Sequence, residues 1–121
     1  MILPNIELGR RKILKDCDIK RHRIAAIAFM PNGRVISIET NRLGSGDVSD
    51  FSWHAEEFLA RKLERIKARE RFGRINVLVA RLGRQKGWTM AKPCDGCARK
   101  LRRVVDIICY TDENGVVQIY A

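Results

Sequence analysis

The apolar positions of this chain switch repeatedly between helical and extended spacing, and turn residues punctuate the switches at regular intervals. Residues 6–16 place Ile6, Leu8, Ile13 and Leu14 on a loosely helical repeat, which Gly9 weakens. Arg23–Met30 contains the run Ile24–Met30 and reads as a buried strand. Pro31-Asn32-Gly33 then supplies a hairpin turn, because Asn-Gly tolerates the positive φ such turns require. Arg34–Thr40 is the antiparallel partner. A polar, glycine-rich loop, Asn41–Asp50, comes next. Asp50 and Ser52 are both candidate caps for a helix that starts near Trp53 and runs to about Arg71. On that helix Phe58, Leu59, Leu63 and Ile66 recur at three-to-four spacing, the opposite face is crowded with Arg and Lys, and Gly73 closes it. Ile75–Leu82 is a near-continuous apolar run suited to a strand covered on both faces. A loop with Gly83, Gly87 and Trp88 leads to Pro93, expected in the first turn of a short helix over about Cys94–Val104. Asp106–Thr111, the turn Asp112–Gly115 and Val116–Tyr120 complete the chain as an antiparallel hairpin.

The order α-β-β-α-β-α-β-β predicts a mixed sheet with helices on both faces, an α/β three-layer arrangement. With 121 residues and 45% hydrophobic content, there is room for one domain, 1–121, with a real core. Neither internal repeats nor low-complexity stretches interrupt it. The 24 Lys and Arg against 14 Asp and Glu leave a net charge of +10, which points to a polyanionic or phosphate-bearing partner. The abundance of Ile, Val and Leu excludes a disordered basic tail. No apolar run approaches the roughly 18 residues of a membrane helix, and the N-terminus has no signal-peptide pattern. A cytoplasmic protein, or one released without a classical signal, is the expectation.

Four cysteines are too few and too unevenly placed for a disulfide framework. Cys94 and Cys97 form a Cys-x-x-Cys pair, for which a reducing compartment leaves zinc or redox chemistry. Cys109, inside Asp106–Tyr110, reads as a small buried apolar residue, and Cys17 has no partner at ligand spacing. The spacing becomes informative when His54-Ala55-Glu56, opening one helix, is set beside Pro93-Cys94-Asp95-Gly96-Cys97, opening the next. Two helix N-termini facing one another can present one imidazole and two thiolates to a single Zn²⁺, and a helix N-terminus favours thiolate charge. Three protein ligands leave the fourth tetrahedral position for water, as in catalytic zinc sites. Glu56, two residues past the imidazole, is placed to move that water's protons. The competing reading is a structural zinc knuckle, with Cys17, His22 or Cys109 as fourth ligand and Glu56 idle.

His-x-Glu followed by Pro-Cys-x-x-Cys is the pattern of zinc nucleobase deaminases. Over nearly its whole length the chain resembles the cytidine deaminase-like superfamily. The resemblance implies a three-layer α/β/α fold on a five-stranded mixed sheet. It implies that His54, Cys94 and Cys97 bind zinc and that Glu56 is the proton shuttle. It further implies that Asn41 contacts sugar or base, and that the backbone at Ala55 and Pro93 holds the pyrimidine edge. The closing hairpin resembles the branch that holds free-nucleoside cytidine deaminases and bacterial toxin deaminases. His54 stands where the nucleoside enzymes carry Cys, and this fits polynucleotide, nucleotide and toxin-type members better.

Charge bears on the substrate. Basic clusters occur at Arg10–Lys12, Lys20–Arg23, Arg61–Arg74, Arg81–Lys86 and Arg99–Arg103. Any one of them can be a solvated face, but their sum in so small a chain is the footprint expected for nucleic acid. Trp53 and Trp88 flank the two halves of the motif and are each either base-stacking or core residues. Arg42 and Lys92, beside motif residues, are candidate phosphate contacts. The expected activity is hydrolytic deamination of cytosine in single-stranded or flipped-out nucleic acid, DNA or RNA. The alternatives are a deaminase of a free cytidine or deoxycytidine nucleoside or nucleotide, and a non-catalytic zinc module that binds nucleic acid.

Overall fold

A computed structural model describes residues 1–16, 23–43, 52–83 and 87–120. Its elements run α1 (Glu7–Asp16), β1 (Arg23–Phe29), β2 (Val35–Thr40), β3 (Arg42–Leu43), β4 (Ser52–Trp53), α2 (Ala55–Arg65) and α3 (Ala68–Phe72), then β5 (Asn76–Leu82), β6 (Trp88–Thr89), α4 (Asp95–Arg102), β7 (Ile107–Thr111) and β8 (Val117–Ile119).

The Asn32-Gly33 turn forms where expected. Gly33 takes φ +89°, its N–H donates to the Met30 carbonyl at 2.8 Å, and β1 and β2 pair antiparallel from it. The main sheet runs β2-β1-β5-β7-β8, antiparallel at each step except β5–β7, which is parallel. The closing hairpin is therefore antiparallel, as anticipated. The sheet has six strands rather than five, because β6 pairs with Arg81 and Leu82 at the end of β5, beyond the stretch that β7 occupies. Two residues are too short to show a periodicity. What holds them is Thr111, whose hydroxyl donates to the Thr89 carbonyl at 2.6 Å and accepts from the Arg81 N–H at 3.4 Å. A separate two-residue ribbon, β3–β4, pairs Arg42 with Trp53.

Strand alternation sorts the core into two faces. Ala26, Ala28, Val77, Val79 and Ile108 meet Leu59 and Leu63 of α2 and Leu101 of α4. Ile27, Phe29, Leu78 and Cys109 lie on the other face, where α1 adds Ile13 against Ala25 and Leu82. Cys109 is thus the small buried residue the pattern suggested. Gly9 does more than weaken α1: a Cβ there would stand 3.1 Å from Ile27 Cδ1 and 3.2 Å from Ala25 Cβ, so glycine lets the helix seat closely on β1.

Three boundaries differ from the sequence reading. The expected helix to Arg71 breaks after Arg65, where Lys67 takes the left-handed conformation at φ 52°, ψ 48°. Its apolar stripe runs out at Ile66, since Glu70 occupies the next inward position. The break re-phases the chain so that Ala68 is buried and Phe72 packs on the core. Ser52 lies in β4 and is not the cap of this helix. Asp50 lies outside the described residues, and the N-cap position is filled by His54 itself. Pro93 is not in the first turn of α4 but one residue ahead of its N-cap, Cys94. Among the described residues no helix is long and apolar enough to cross a membrane.

Candidate active site and metal centre

The two helices on one face of the sheet deliver the His-x-Glu and Cys-x-x-Cys residues to a common point. His54 and Cys94 are each the last extended residue before a helix, with ψ 139° and 161°, so both side chains stand at helix N-termini. Core packing fixes the two helices behind them. Ala55, Leu59 and Leu63 anchor α2, while Cys97, Ala98 and Leu101 anchor α4. Lys100 Nζ, 3.1 Å from Glu57 Oε2, ties the helices together.

His54 Nδ1 lies 3.3 Å from Cys97 Sγ, and the donor atoms of His54, Cys94 and Cys97 all lie within 4.8 Å of one another. Tetrahedral zinc, with bonds of about 2.0 Å to nitrogen and 2.3 Å to sulfur, holds such atoms about 3.5 Å apart. The donor set and its spacing therefore fit a zinc ion. His54 and Cys94 are exposed and Cys97 is buried, so the cluster opens to solvent on one side. Cys94 Sγ also accepts from the Cys97 N–H at 3.4 Å, a capping contact in the first turn. Burial, then the neighbouring Glu56 charge, raises the Cys97 thiol pKa well above its ordinary value. A metal taking this ligand as thiolate displaces its proton.

Glu56 is only 3% exposed, and its Oε1 is buried without a partner among the described residues. Burial pushes its carboxyl above the usual range, partly offset by its own backbone N–H and by His54. A buried acid left with an unfilled acceptor beside three groups able to ligate a metal costs stability, and such exceptions concentrate at functional sites. None of the possible fourth ligands joins the cluster among the described residues. Cys109 faces the other side of the sheet with Ile27 and Phe29, while Cys17 and His22 lie outside the described residues.

The remaining expected contacts divide. Ala55 is fully buried at the first position of α2, and Pro93 is buried directly before Cys94. Asn41 is 4% exposed at the end of β2, and its Oδ1 accepts from the Ile24 N–H at 2.9 Å, so it extends the β1–β2 pairing. Trp88 packs with Ile13 and Leu82 on the α1 face beneath Arg10, whose guanidinium carbon lies 5.4 Å from the ring centre. This is the core alternative for Trp88, not the pocket mouth. The backbones of Arg42 and Trp53 pair in the β3–β4 ribbon ahead of His54. Lys92 is exposed with Nζ 5.5 Å from the Tyr120 ring centre. Tyr120 itself was invisible to spacing arguments: it is 25 residues from Asp95, yet its hydroxyl donates to Asp95 Oδ1 at 2.8 Å.

No protein-family model and no curated protein sequence matches this chain. Solved structures do. A cytidine deaminase from Mycobacterium leprae superposes with a TM-score of 0.61 at 16% identity, over 93% of this chain and 87% of its own. One from Burkholderia pseudomallei gives 0.60 at 16%, over 96% and 88%. The dCMP deaminase of cyanophage S-TIM5, in apo form, gives 0.55 at 20%, over 90% and 86%. The chain has the cytidine deaminase fold. Within that fold, it brings a His-Cys-Cys cluster able to hold a metal ion together with a buried glutamate.

Proposed function

We propose that this protein is a zinc-dependent hydrolytic deaminase that converts cytosine to uracil in single-stranded or flipped-out nucleic acid. The carrying observation is the convergence of the His54, Cys94 and Cys97 donor atoms beside the Glu56 carboxyl, whose Oε1 is buried without a partner among the described residues. His54, Cys94 and Cys97 would hold zinc, which when bound supplies the Lewis acidity that makes water nucleophilic near neutral pH. Hydrolytic deamination replaces the exocyclic amine at C4 with oxygen from water and releases ammonia, so protons must travel from the water to the ring and to the leaving nitrogen. Glu56 suits that task. Its carboxyl lies at the buried end of the site, where it can take up a proton and surrender it to a nitrogen that has become basic.

The polynucleotide reading rests on charge. Arg61, Arg65, Arg99 and Arg102, with Arg103 at the C-cap of α4, are exposed on the same two helices whose N-termini carry the cluster. A groove of about 170 Å³ between those helices is lined by Arg61, Lys100 and Arg103, with Glu57 and Glu64. Such a surface follows a phosphate backbone through counterion release. The second reading, a free nucleoside or nucleotide as substrate, is favoured by the superposed structures, which include cytidine and dCMP deaminases.

The test incubates zinc-loaded protein at low salt with a cytosine-containing single-stranded oligonucleotide and, separately, with dCMP and cytidine, and reads uracil formation by mass. Uracil in the oligonucleotide supports the polynucleotide reading. Uracil in the monomers alone establishes the second, and no uracil from any of them overturns both.

A further inference from the structure

The three side chains of the cluster are not held equally well. Cys97 lies in the first turn of α4 and is buried with Ala98 and Leu101 beneath it. Cys94 is exposed and precedes the first helical residue of an eight-residue helix, where backbone frays at little cost. Its carbonyl accepts from the Ala98 N–H at 2.9 Å, but its thiol, the atom that matters for a metal, meets the helix only through the 3.4 Å contact with the Cys97 N–H, and sulfur is a weak acceptor.

A tie from outside the helix reaches this end. Tyr120, just past β8, donates its backbone N–H to the Ile108 carbonyl at 2.8 Å, so its backbone is fixed to β7. Its ring packs edge-on against Tyr110, with centroids 6.5 Å apart and planes at 75°. From there its hydroxyl donates to Asp95 Oδ1 at 2.8 Å, on the residue directly after Cys94. Lys92, two residues before Cys94, and Arg102, in the last turn of α4, place their charges 5.5 and 5.1 Å from the ring centre. One aromatic side chain, anchored to the sheet, thus touches the chain on both sides of Cys94.

We infer that Tyr120, through Asp95, is a positioning residue for the metal centre: it fixes the start of α4 and so sets where the Cys94 thiol stands relative to Cys97 and His54. This inference rests on reading the cluster as a zinc site. Metal affinity includes the cost of ordering the ligands, and groups that orient a ligand typically change affinity about 10- to 100-fold. Tyr120 touches neither metal nor substrate in this role.

The experiment measures zinc affinity of the full chain by competition with a chromogenic chelator, with circular dichroism and melting of each metal-free form recorded alongside. Tyr120→Phe and Asp95→Ala are each expected to weaken zinc binding about tenfold. The double variant should bind no more weakly than the poorer single one, because both changes remove the same tie. Asp95→Asn keeps an acceptor for the hydroxyl and should stay near wild type, which a general loosening of the fold would not reproduce. Wild-type affinity in Tyr120→Phe, or losses that multiply in the double variant, overturns the inference while leaving the zinc reading intact. A wild-type chain that binds no zinc overturns both. If Tyr120→Phe folds poorly, Asp95→Ala against Asp95→Asn carries the same comparison.

Discussion

In the proposed reaction Glu56 is costly to the fold and useful to the chemistry. Its carboxyl is buried in the first turn of α2 with Oε1 unpartnered, in a place where an apolar side chain would serve the core better. Glu56→Gln keeps the shape and removes the exchangeable acid. Turnover of the productive substrate should fall by at least about 10²-fold, the usual scale of general acid–base catalysis, while zinc stays bound. Zinc content by atomic absorption and uracil formation by mass check the two halves separately. Full activity in Glu56→Gln would remove Glu56 from the proton path. For Asn41 the family resemblance implies a substrate contact; the structure adds that its Oδ1 accepts the Ile24 N–H in the sheet, a partner visible only in three dimensions.

At the scale of elements, the break between α2 and α3 decides which apolar residues reach the core. Lys67 adopts a left-handed conformation that costs an L-residue with a Cβ roughly 1–2 kcal/mol relative to the right-handed region. Glycine removes most of that cost, so Lys67→Gly should stabilise the protein by about 1 kcal/mol, read as a raised denaturation midpoint. A destabilised Lys67→Gly would show that the lysine side chain contributes more than its backbone strain removes. The same comparison explains the error in the sequence reading. Helical periodicity carried through Ile66, and Lys67 has none of the glycine character by which such breaks are usually recognised. Gly9 misled in the other direction. A residue unfavourable to helices sits inside α1 because the close approach to Ala25 and Ile27 excludes a side chain there.

For the whole molecule, two predictions concern charge and metal. If the basic helix faces engage a phosphate backbone, oligonucleotide affinity should fall steeply between 50 and 200 mM salt, on the order of 10³-fold if about six phosphates are neutralised. Deamination of dCMP should respond weakly over the same range. Filter binding and steady-state rates distinguish the two, and a flat response on the oligonucleotide would argue for an ordinary solvated surface. Zinc should also stabilise the fold, because the cluster joins the starts of α2 and α4 and is assembled only in the native chain. At a free zinc concentration about 100 times Kd the gain is about 2.7 kcal/mol, so a strong chelator should lower Tm measurably. Identical melting with and without chelator would mean that the folded cluster does not bind the ion.

Much of this protein was already determined by the sequence. The Asn-Gly turn, the apolar runs of β1 and β5, the closing hairpin and the His-x-Glu and Cys-x-x-Cys residues all depend on local backbone preference or short spacing. Those are properties a linear pattern carries. The tertiary structure alone decided that β6 makes a sixth strand, since its two residues pair with the end of β5 and are bound by Thr111 from β7. It also decided that Cys109 faces away from the cluster, that Trp88 packs under Arg10, and that Tyr120 reaches Asp95. Each of these is a contact between segments far apart in the chain. Their energies arise only after the sheet has formed, so no local periodicity could register them.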